Sequence, residues 1–103
     1  MGAPWGLLAP SELLVQVFNS RELAAMGVLD LDAAQRAIVD AVIHRFLREQ
    51  LYDGQNLKEL GQELAIRIIS TLRDLGKPLM NDADTMKALI GIGLNHNQIH
   101  DLL

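Results

Sequence analysis

The chain has 103 residues, half of them hydrophobic, with 13 acidic and nine basic side chains and a formal charge of −4. That length holds one domain, and that share of apolar residues is far above what a disordered chain carries. There is no cysteine, which excludes disulfides, thiolate metal sites and cysteine nucleophiles; an acidic chain also repels phosphate unless a local basic patch intervenes.

Aromatic residues make up only 4%, so the expected core is aliphatic. A chain this short buries only about 60–65% of its unfolded surface on folding alone. So much aliphatic content in so little volume predicts a covering partner, and a homodimer is the simplest. No apolar run reaches the ~18 residues that span a bilayer. Met1 to Pro10 carries no basic residue and is broken by two prolines, so it does not read as a secretory signal. Gly2 opens a myristoylation pattern that fails at Gly6. The expectation is a cytoplasmic protein without a membrane anchor.

In chain order, residues 1–10 read as an irregular arm whose Trp5, Leu7 and Leu8 are costly to leave in water. Ser11, after Pro10, can cap a short helix to about Phe18. Asn19 with Glu22 forms a capping-box pattern opening a second short helix that ends at Gly27, and the two could also be one kinked helix. Asp30 or Asp32 caps a long helix to about Tyr52, stopped by the Asp53-Gly54 turn. On it Ile38, Val39, Ala41, Val42, Ile43 and Phe46 cover an arc of about 200°, wider than the usual stripe of roughly 100°. Such a helix is either central in its bundle or packs on its own subunit with one flank and on a second subunit with the other.

Asn56, with Glu59 three residues on, opens the next helix. Leu57, Leu60, Leu64, Ile68, Leu72 and Leu75 recur there at steps of three and four, and Gly76-Lys77-Pro78 closes it. Ile66 projects onto the polar side, between Glu59, Gln62 and Arg73. With Val39, Val42, Ile43 and Phe46 it makes up the candidate partner or dimer interface. Asn81, with Asp84, opens a helix carrying Ala83, Met86, Leu89 and Ile90 and ending near Gly91 or Gly93. Asn95 caps a last short helix carrying Ile99, Leu102 and Leu103. No alternating β-branched run with a hairpin turn occurs, so no sheet is expected. The predicted fold is one all-α domain over 1–103: a small bundle of four to five helices around a long antiparallel helical hairpin, about 31–52 and 56–75.

His96 and His100 stand four apart on one helical face, a metal-ligand spacing. The residue after the first is Asn97, which cannot act as the general base of a zinc protease, and a bound metal would need Asp101, Asp82 or Asp84 as a third ligand. The pair reads more simply as the exposed side of a terminal helix, so no metal or other cofactor is expected. Asp40, His44 and Arg48 lie one turn apart with no serine or cysteine nearby as nucleophile, and such a charged strip is ordinarily solvated. Asp30-Leu31-Asp32 lacks the rest of a calcium loop. Gly91-Ile92-Gly93 follows no strand and is no nucleotide fingerprint.

The last segment, about 82–103, resembles a helix-turn-helix. Met86 to Gly93 would supply the first helix and turn, and Asn95 to Ile99 the start of a recognition helix whose Asn and Gln suit adenine edges. That second helix has no Arg or Lys to anchor phosphate; the basic residues lie at Arg45, Arg48, Arg67, Arg73 and Lys77. With no catalytic constellation, the chain is read as no enzyme. It is expected to be a small interaction module, a regulator, adaptor or inhibitor that binds or sequesters a partner protein. Its anchors would be aliphatic, such as Leu7, Leu8, Leu13, Leu14 or Ile66. A DNA-binding role through residues 82–103 is the alternative.

Overall fold

The computed structural model describes residues 9–50 and 57–103, and every regular element in them is a helix. The order is α1 (Pro10–Val17), α2 (Ser20–Met26), α3 (Ala33–Gln50), α4 (Leu57–Asp74), α5 (Ala83–Ile92) and α6 (His96–Leu102). The expectations for the arm at residues 1–8, the Asp53–Gln55 loop and the Asn56 cap fall outside the described residues, as does Tyr52.

Local chemistry accounts for most helix starts. α1 begins at Pro10, whose missing N–H is no loss in a first turn. Ser11 is therefore inside the helix, not its cap. The cap residue is Ala9, which has no side-chain acceptor; only the Glu12 carboxylate closes this end, accepting from the Ala9 N–H at 3.4 Å. Phe18 then turns extended (φ −123°, ψ 145°), so α1 and α2 are two helices. Asn19 restarts the chain by exchanging two 2.9 Å hydrogen bonds with Glu22. Asp32, and not Asp30, opens α3: its carboxylate accepts from the Gln35 N–H at 2.7 Å, and the Gln35 amide oxygen accepts from the Asp32 N–H at 3.1 Å. α5 starts one residue later than the Asn81 pattern implied, because Asp82 accepts from the Thr85 N–H at 2.7 Å. Asn95 caps α6, accepting from the Gln98 N–H at 2.8 Å, while Gln98 returns the bond to the Asn95 N–H at 2.9 Å.

Three of the helix stops, those of α2, α4 and α5, share one device. Gly27, Gly76 and Gly93 have φ of 83°, 87° and 114°, a region that favours a residue without Cβ. At Gly93 the glycine N–H donates to the Ile90 carbonyl at 2.9 Å and the Leu94 N–H to the Leu89 carbonyl at 3.2 Å. That pair of bonds is a Schellman closure, and Leu94, buried beyond it, adds the usual apolar contact. Gly91 is interior to α5, so the stop is Gly93.

α3 lies along α4, and α2 lies chiefly along α5. All six helices feed one aliphatic core, through Leu13, Met26, Ile43, Ile68, Leu89 and Ile99 among others. Gly61 lets α1 come close to α4: a Cβ there would stand 3.2 Å from Val17 Cγ1. Two long-range polar ties brace the C-terminal end of α4 and the turn after it. The Arg73 guanidinium donates to the Asp101 carbonyl at 2.8 Å, and the Lys77 ammonium donates to the Asp30 carbonyl. No helix among the described residues is long and apolar enough to cross a membrane.

Candidate functional site

The wide apolar arc of α3 divides into two faces. Val39, Ile43 and Phe46, at steps of four and three, are at most 2% exposed and belong to the chain's own core. This corrects their placement on a partner-facing surface: they have no area left to offer. The other flank behaves differently. Ala37, Ile38, Ala41 and Val42 stay at least partly open, Ile38 at 40%. Together with Ile66 of α4 they floor an open groove of about 790 Å³ between the two helices. Of the five candidate interface residues, the structure thus brings Val42 and Ile66 together at a surface and withdraws Val39, Ile43 and Phe46 from it.

The groove has a cationic rim. Arg45 and Arg48 stand on α3, Arg67 on α4, and among the described residues no carboxylate lines it. Arg67 is held in place from two sides: it pairs with Glu49 at 3.0 Å and its guanidinium carbon sits 5.1 Å from the centre of the Phe46 ring. Both members of the ion pair are over a third exposed, so it adds little stability and serves to orient the guanidinium. The Thr71 hydroxyl is already committed, donating to the Arg67 carbonyl at 2.7 Å. Arg45 and Arg48 have no ion-pair or hydrogen-bond partner among the described residues. A second, smaller groove of about 650 Å³ between α2 and α5 mixes signs, with Arg21 and Lys87 beside Glu22, Asp82 and Asp84. There the Thr85 hydrogen bonds hold the Asp82 carboxyl below its ordinary value, as expected of an acceptor at a helix start.

His96 and His100 are exposed on α6, and among the described residues no group of three His, Asp or Glu side chains is positioned to hold a metal. His44 and Arg48 are exposed and Asp40 half-buried, with no hydrogen bond joining the three. In the 82–103 pair, the side-chain oxygens of Asn95 and Gln98 are each occupied by the other's backbone N–H. α5 gives its main face to α2, and α6 contacts α4 and α5 alike.

The sequence carried part of this site. Arg45 and Arg48 are three apart, a same-face spacing that marks a local basic patch. That Arg67 joins them across the groove depends on how α4 docks, which spacing within one helix does not encode. No family model, curated protein or solved structure matches the chain.

Proposed function

We propose that the chain is a small helical protein-interaction module, working as a regulator, adaptor or inhibitor, and that the α3/α4 groove seats one helix of its partner. In this reading α3 and α4 form an antiparallel hairpin at the centre of a small bundle. One observation carries it: Ile38 and Ala41 are exposed and Val42 and Ile66 half-buried along one groove, while Val39, Ile43 and Phe46 of α3 are buried in the core. An aliphatic strip flanked by two helix walls is the shape that takes an amphipathic helix. Contiguous apolar surface left on a small domain marks an interaction site more often than scattered single residues do.

A photo-crosslinking residue at Ala41, introduced in the native host, tests it. The expected product is a specific protein adduct that Ile66→Asp removes, with none from a control position at Asp74. A second copy of the chain as the adduct makes the module a homodimer. Equal labelling from both positions, or an adduct indifferent to Ile66→Asp, overturns the reading.

A further inference from the structure

We infer that the occupant of the α3/α4 groove is an acidic amphipathic helix of another protein. The inference rests on the docking reading above and goes further by fixing the charge and pattern of the partner. Its first support is the sign of the rim. The chain as a whole carries −4, yet among the described residues the groove is lined by Arg45, Arg48 and Arg67 and no carboxylate, with Glu49 reaching only Arg67. Two of those guanidiniums have no partner among the described residues. Burying an aliphatic floor beneath such a rim is favourable when the incoming surface brings its own carboxylates to the edge.

The second support is the layout. Cations stand on both walls, Arg45 and Arg48 on α3 and Arg67 on α4, with the aliphatic floor between them. A partner helix that fits has an apolar stripe at i, i+3, i+4, i+7 with Asp or Glu chiefly on the flank that meets Arg45 and Arg48, since Arg67 already pairs with Glu49. From Ala37 to Arg48 the groove wall rises roughly 17 Å, room for about three turns. The charged rim lies toward the Arg45–Arg48 end, while Ala37 and Ser70 lie away from it, so the partner's acidic residues crowd one end of its helix.

Other occupants fit less well. The large exposed apolar residues on this chain's own outlying helices are single ones, Val15 on α1 and Ile90 on α5, so no second copy offers an apolar stripe on them. Nucleic acid would meet an aliphatic floor with no aromatic side chain among the groove residues to stack a base.

The test uses the full chain and two labelled synthetic peptides of roughly 14 residues, about four helical turns. Both carry Leu at the stripe positions; one has Glu on the flanks and the other Lys. Fluorescence anisotropy is expected to give about tenfold tighter binding of the Glu peptide at low salt, a margin that shrinks as salt rises. The Arg45→Glu/Arg48→Glu variant should reverse the preference, and Ile66→Asp should abolish binding of both peptides, with helicity unchanged by circular dichroism. Equal or tighter binding of the Lys peptide, or an unchanged preference in the arginine variant, overturns the acidic partner. The docking reading survives that result if Ile66→Asp still abolishes binding. Binding of neither peptide also overturns the inference, and the Ala41 adduct then decides the docking reading separately. A labelled DNA duplex that displaces the Glu peptide, or a dimer on sizing that Ile66→Asp dissociates, assigns the groove to another occupant and overturns it as well.

Discussion

At Gly93 two constraints coincide. Its φ of 114° strains any residue with a Cβ, and an added methyl would also overlap the Gln62 side-chain amide. Gly76 has the same kind of backbone (φ 87°) but open space around it. Gly76→Ala is therefore expected to cost about 1 kcal/mol in urea unfolding, the conformational term alone. Gly93→Ala should cost about as much, because the overlapping group is the far end of the flexible Gln62 side chain, which can swing aside. A second residue-scale prediction concerns Asp82, whose carboxyl is held below its ordinary 3.8 by the Thr85 hydrogen bonds. A depressed value means the cap is fully effective above pH 3.8 and is lost as pH falls through the lower folded value. Followed by NMR, the Thr85 amide should titrate with a midpoint below 3.8, and Asp82→Asn should remove that titration while keeping the cap. Caps of this kind were legible in the sequence because both partners lie within four residues. The Asn19–Glu22 exchange is spelled out in its spacing, and Asn81 versus Asp82 is a one-residue error between two competent acceptors. The Gly93–Gln62 contact was not legible, since 31 residues separate its halves.

Among elements, α3 is the most informative. The periodicity of its apolar positions predicted how wide the arc would be, but not which part of it the rest of the chain would cover. That division depends on where α4 docks, and the two sides of the arc should respond to substitution in opposite ways. Phe46→Asp places a carboxylate where nothing is exposed and removes the ring beneath Arg67; a loss of more than about 3 kcal/mol is expected in denaturant melts. Val42→Asp sits on the groove side, partly open, and should cost only about 1 kcal/mol, leaving helicity intact. If Val42→Asp unfolds the chain as Phe46→Asp does, the groove is not a free surface.

At the scale of the whole molecule, the radius of gyration is 13.0 Å, which matches the ~13 Å of a compact single domain of about 100 residues. The aliphatic excess that suggested a second copy is largely absorbed inside: Leu13, Ile43, Phe46, Leu64, Ala65, Ile68 and Leu89 have no exposed area at all. If the groove is built for a helix of another protein, as proposed, the free chain is monomeric and its melting temperature should not rise with protein concentration; a rise over a hundredfold dilution series would point to self-association. The all-helical class was readable because helical spacing repeats along the chain. The groove's cationic rim was not, because it is assembled from two helices.

The pairing of α2 with α5 joins the early part of the chain to its last third. On the ribosome, Leu23 and Met26 leave the exit tunnel long before Leu89 and Ile92 have been synthesised. α3 and α4 are close neighbours in sequence, but α2 must wait, its apolar side bare, until α5 has been made and has emerged. That interval is when a chaperone or a protease would find this protein easiest to engage.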